Sequence, residues 1–140
     1  MTLYSTLYKR CLSKITDPTL GMLSDEDLSE MLHGWMVSAI AKHRQCEHDL
    51  SDRDDELGRF NFDLSDLEME ILAILTAREW VSNQLLSVTN TMQVFSGKET
   101  SFFSQAAHLK ELQALDEKLR LEAQQLSRDY TYANNEYFTG

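Results

Sequence analysis

The run from Ser101 to Gly140 restricts the fold more than any other part of the chain. Apolar residues recur at Phe102, Ala106, Leu109, Leu112, Leu115, Leu119, Ala123, Leu126 and Tyr130. The steps are three or four residues, so these side chains share one face of a helix. A helix from about Ser101 to Asn134 has roughly 30 residues and spans on the order of 45 Å. A bundle of short helices does not need that length, so part of this helix is expected to project or to pack on a neighbour. The stripe gives way to a polar ending studded with Tyr130, Tyr132, Tyr137 and Phe138.

Three earlier segments also read as helices. In the first, about Thr2 to Thr16, Leu3, Leu7, Cys11 and Ile15 form a narrow stripe, and Asp17-Pro18 stops it. Ser24 is suited to cap the second, with Asp25, Glu26 and Asp27 at the positive end of the helix dipole. Its apolar face reads Leu28, Met31, Leu32, Trp35, Ala39 and Ile40, and Lys42, His43 and Arg44 fall near its end. Ser65-Asp66-Leu67-Glu68 fits a capping box ahead of a third helix that runs to about Val88 or Met92. Its broad face includes Leu67, Ile71, Leu72, Ile74, Leu75, Ala77, Val81, Leu85 and Val88, which places it at the centre of the core.

Between the second and third helices the pattern breaks. Asp49, Asp52, Asp54, Asp55 and Glu56 suggest an acidic loop, and Arg59 to Leu64 alternates polar and apolar residues as an extended arm or edge strand would. A single proline and five glycines argue against an all-β chain. The expectation is an all-α, four-helix bundle-like domain covering residues 1–140, with a long C-terminal helix and a short extended arm between helices 2 and 3. Residues from about 127 to 140 would form a docking tail.

The net charge of −10 opposes adhesion to a duplex or to an anionic membrane, but suits a basic partner. The apolar run Ile71 to Leu75 is too short to cross a bilayer. The first residues lack the basic start and apolar block of a signal peptide, so Cys11 and Cys46 are expected as reduced thiols made in the cytoplasm.

The familiar reactive patterns do not form. Gly97-Lys98 resembles the end of a phosphate-binding loop, but the first glycine position holds Met92 and Glu99 follows the lysine, where a carboxylate repels nucleotide. His43, Cys46 and His48 lack an evident fourth ligand for zinc. The acidic loop lacks the spacing of a calcium loop. There is no G-x-S-x-G, H-E-x-x-H or Cys-x-x-Cys. The sequence therefore suggests no enzyme, no cofactor and no metal, and the chain is expected to act through helical surfaces.

Two stretches carry a family resemblance. Val94-Phe95-Ser96-Gly97-Lys98-Glu99, continuing through Ser101-Phe102-Phe103-Ser104-Gln105-Ala106-Ala107-His108-Leu109-Lys110-Glu111-Leu112, resembles small helical proteins encoded among the structural genes of tailed bacteriophages. The ending Arg128-Asp129-Tyr130-Thr131-Tyr132-Ala133-Asn134-Asn135-Glu136-Tyr137-Phe138 is similar to them as well. The resemblance spans roughly Phe60 to Phe138 and is to neck proteins: head–tail connectors, adaptors or head-completion proteins. The first helix and the acidic loop have no counterpart in that pattern.

The resemblance implies a structural component of the virion neck, made in the host cytoplasm. It would form a homo-oligomeric ring, twelve copies if the family pattern holds, between the portal protein and tail-side neck proteins. The ring would extend the DNA channel without binding DNA specifically and without a membrane. On this reading Tyr130, Tyr132, Tyr137 and Phe138 would dock on the upstream ring. Phe60 and Phe62 would reach an adjacent protomer, because an extended segment offers backbone groups for strand addition. Asp52, Asp54, Asp55 and Glu56 would face the channel or a basic neighbour. The alternative is a helical interaction protein outside the virion, such as a tail-assembly chaperone or a small regulatory binder.

Overall fold

The computed structural model describes residues 1–15, 22–43, 48–94 and 99–133, with side chains left aside at 90–105 and at 132–133. Asp17-Pro18, Cys46, Ser96-Gly97-Lys98, Tyr137 and Phe138 lie outside the described residues. The architecture is all-α and bundle-like: helices α1 (Tyr4–Leu12), α2 (Asp25–Lys42), α3 (Asp66–Val94) and α4 (Glu99–Ala133), with a small β-hairpin of β1 (Arg53–Asp54) and β2 (Arg59–Phe60) between α2 and α3.

Local chemistry sets the helix starts. The Ser24 hydroxyl accepts from the Asp27 amide at 3.2 Å, and three acids occupy the first turn of α2. At α3 the capping box closes in both directions. The Glu68 amide donates to Ser65 Oγ at 3.1 Å, and the Ser65 amide donates to Glu68 Oε1 at 3.0 Å. The first helix is shorter than its stripe predicts and ends at Leu12. Residues 1–3 are extended instead, because they join the hairpin.

That hairpin accounts for the acidic stretch. Asp54 Oδ1 accepts from the amides of Glu56 and Leu57, each at 3.0 Å, and so builds the turn. Gly58 completes it at φ 64°, a conformation that costs a side-chain-bearing residue more than glycine. The expected extended arm is therefore the second strand of a hairpin. Its other edge is covered too: Phe60 N–H donates to Thr2 C=O at 2.8 Å, Thr2 N–H to Phe62 C=O at 3.0 Å and Tyr4 N–H to Gly58 C=O at 2.8 Å.

Helix α3 is the axis, with α1, α2 and α4 all packed against it. Ile71, Leu72, Ala73, Ile74, Thr76 and Ala77 are all buried, which is every face of the helix over two turns. Thr76 survives there because its hydroxyl donates to the Leu72 carbonyl at 2.7 Å. On α2 the buried residues are Leu32, Met36 and Ala39, while Met31 is exposed. The face is turned toward Met36 relative to the sequence reading.

Helices α3 and α4 form an antiparallel hairpin. Arg78 Nε donates to Asp116 Oδ1 at 3.0 Å, and near the opposite end Tyr130 OH donates to Glu68 Oε2 at 3.2 Å. On α4 the inward positions Leu109, Leu112, Asp116, Leu119, Ala123, Leu126 and Tyr130 step by three and four. This is a heptad seam. Arg78 and Asp116 place one polar position on each helix opposite the other, which fixes the register. With 35 residues α4 is roughly 52 Å long, and α3 with 29 roughly 43 Å. The length of α4 is thus matched largely by its own partner helix.

Candidate protein-interaction surface

The hairpin of α3 and α4 changes character along its length. From Ile71 to Val81, α3 is enclosed by the other elements. From Ser82 to Thr89 only Val88 is buried and Gln84 and Leu85 are half-buried, while Ser82, Asn83, Leu86, Ser87 and Thr89 are exposed. On the opposing stretch of α4, Ala107, His108, Lys110 and Glu111 are exposed and Leu112 is buried. Such a narrow inward stripe belongs to two helices with only each other for company. The distal hairpin is therefore an arm extending from the bundle. Leu86 is 62 % exposed on its outer face.

The arm also differs in charge. From Trp80 to Ala107 only Lys98 and Glu99 are charged, and they cancel. The whole net charge of −10 resides on the rest of the chain. Charge depletion marks the centre of protein interfaces, where a desolvated charge is costly.

Where the arm leaves the bundle there is a groove of about 560 Å³. It lies between the end of α1 and α4, floored by Trp80, Leu112, Leu115 and Leu119 and rimmed by Lys14, Lys118 and other charged residues.

The expected contact residues have mixed placements. Phe60 is fully buried, edge-on to Tyr4 with ring centroids 5.1 Å apart. Phe62 is half-buried and stacks on His48 at 4.6 Å. The backbone around both is paired within the chain, so neither strand edge nor the Phe60 ring is open to a neighbour in this arrangement. Tyr130 is 5 % exposed, because the seam spacing carries it inward. Tyr132 lies within α4, its side chain outside the described residues, and Tyr137 and Phe138 lie beyond them.

The acidic residues mostly build structure. Asp52 Oδ1 accepts from the Asn61 side chain at 2.9 Å, and Asp54 forms the turn. Asp55 Oδ1 accepts from Tyr4 OH at 2.7 Å, lies 3.1 Å from His33 Nε2 and faces Arg53 Nε at 3.4 Å. The Tyr4 hydrogen bond, and then that of His33, hold the Asp55 carboxyl below the usual carboxylate range. Burial and the Asp55 contact push the Tyr4 phenol up. This cluster ties the hairpin to α1 and α2. Glu56 is exposed on the turn.

The second polar knot lies at the start of α3; spacing gave its capping box but not the approach of His48 and Tyr130 to Glu68. Glu68 is only 4 % exposed, yet it closes the capping box, accepts from Tyr130 and has His48 Nε2 at 3.3 Å from Oε1. Each donor offsets part of the desolvation cost of the carboxylate. Nearby, burial lowers the His43 pKa against the opposing pull of Glu68. Cys11 is buried and its thiol is pushed up to about 12, chiefly by burial. An inert thiol follows.

Among the described residues no group of three or more His, Cys, Asp or Glu is placed to hold a metal ion. No described helix is long and apolar enough to cross a membrane. No family model, curated protein or solved structure matches the chain.

Proposed function

We propose that the chain is a non-catalytic structural adaptor that works by presenting its α3–α4 arm and its C-terminal tail to other proteins. Its setting is the neck of a tailed bacteriophage, where a ring of copies joins the portal to the tail. The observation that carries the reading is the projecting arm, which has no net charge between Trp80 and Ala107 on an otherwise acidic molecule and bears an exposed Leu86. The resemblance to neck proteins supports it, because the residues Val94 to Leu112 that carry the similarity run from the end of α3 into α4. The acidic body suits a channel through which DNA slides without phosphate contacts.

Burial of Tyr130 takes that ring out of the docking set and leaves Tyr132, Tyr137 and Phe138. Removal of residues 134–140 takes away Tyr137 and Phe138 and leaves the Tyr130–Glu68 contact in place. The truncated protein is expected to keep its helical signal and melting behaviour, yet to be missing from purified particles assembled with it, as read by mass spectrometry. Full incorporation of the truncated form would refute the docking role of the tail. Absence of the intact chain from finished particles would favour the tail-assembly chaperone or regulatory binder.

A further inference from the structure

We infer that the groove between the end of α1 and α4 binds a small uncharged molecule with an apolar body and a carbonyl oxygen, which accepts from the indole N–H of Trp80. Binding there goes beyond the proposed function and does not depend on the neck assignment.

The indole marks the site. Trp80 lines the groove and is only 4 % exposed, yet its Nε1–H finds no acceptor among the described residues. A buried tryptophan N–H ordinarily has a partner, because leaving a buried donor unpaired forfeits its hydration. The other polar groups at this end of the groove are engaged within the chain: Lys14 Nζ donates to Glu70, and Ser13 Oγ donates to the Arg10 carbonyl at 2.6 Å. Of the lining residues, only Trp80 has a buried side-chain polar atom without a partner. The volume of about 560 Å³ falls within the roughly 300–1,000 Å³ of ordinary ligand cavities. Leu112, Leu115 and Leu119 supply the apolar surface for the body of the ligand.

Charge selects the head group. Lys118, Glu111 and Glu122 also line the groove and make no ion pair among the described residues. An anion therefore meets two unpaired carboxylates against one ammonium, on a chain of net charge −10. A cation suits that rim but brings no acceptor to the indole. Either charge is costly to bury beside Trp80 without a counter-ion. A carbonyl oxygen accepts from the N–H, carries no charge and leaves Lys118, Glu111 and Glu122 to water.

Probes that share one body and differ in head group test this. Phenylacetamide, phenylacetate and phenethylammonium are titrated into the full chain at about pH 8, where an ordinary histidine is neutral and His108 on the rim adds no charge. The readout is the indole N–H resonance of Trp80 in a proton–nitrogen correlation spectrum. Trp35, which does not line the groove, is the internal control. Trp80→Phe assigns the resonance by its loss; should that variant not fold, Trp35→Phe leaves the Trp80 resonance alone. Phenylacetamide is expected to move the Trp80 resonance downfield and to saturate with a Kd of order 1–10 mM, in keeping with a ligand of about ten heavy atoms. The Trp35 resonance should stay in place. Phenylacetate should bind at least ~5-fold more weakly, and phenethylammonium, which has no acceptor, should give no downfield shift. A Trp80 resonance unmoved by phenylacetamide far above that range, or equal shifts from all the probes, would overturn the inference.

Discussion

The two ends of helix α3 obey the same backbone rules and opposite surface rules. Between Ile71 and Ala77 nearly every side chain is buried, because α1, α2 and α4 surround the helix. Between Ser82 and Thr89 only the stripe facing α4 is covered. The base is a core element whose residues answer to packing. The arm is a presented surface on which Ser82, Asn83, Leu86, Ser87 and Thr89 are exposed. Stability should therefore depend on the base, and contact with other proteins on the arm.

The sharpest way to break that division is to shorten one leucine at each end. Leu72→Ala should destabilise the fold by about 3–4 kcal/mol through lost burial and a residual cavity, since Leu72 is fully buried. Leu86→Ala should stay within about 0.5 kcal/mol. Urea unfolding measures both, and equal costs would erase the distinction.

A smaller effect is expected at Tyr130→Phe. Tyr130 closes the far end of the hairpin onto buried Glu68. Loss of the hydroxyl should cost about 1 kcal/mol, because the carboxylate loses a donor but keeps the capping box. An unchanged unfolding midpoint would mean that the end of α4 is not tied to α3 in solution.

The base should also respond to pH. His43 sits half-buried at the end of α2, and burial lowers its pKa in the folded state. Above the ordinary histidine value of about 6.5 it is neutral whether folded or not, so stability is unaffected. As pH falls below that value the unfolded chain takes up a proton that the folded chain resists, so stability declines toward the depressed folded pKa. His43→Asn should flatten the stability profile on the acidic side of pH 6.5. A profile unchanged by the substitution would show that His43 is solvated in the folded protein.

Much of the base was legible in the sequence, because burial there is periodic. The capping box at Ser65 and Glu68, the cap at Ser24 and the central position of α3 each follow from a short pattern with one physical solution. The start of the chain was misjudged for an equally physical reason. Leu3 continues the apolar spacing of α1, but backbone pairing of Thr2 with Phe60 and Phe62 in the chain's own hairpin outcompetes one more helical turn. Such long-range pairing leaves no mark in a local pattern. Phe60 and Tyr130 show the same limit. An aromatic residue reads alike whether it fills its own core or a neighbour's, and only the assembled contacts decide. The arm had a detectable signal in its missing charges, which apolar periodicity does not register.

Hydrogen exchange on the full chain, compared between the free protein and assembled particles, tests the division of labour most directly. Amides between Ser82 and Thr89 should exchange readily in the free chain and gain protection in the particle, while those between Ile71 and Val81 stay slow in both. Protection that appears in the base or the β-hairpin, with the arm unchanged, would contradict the claim that this protein meets its partners through the arm.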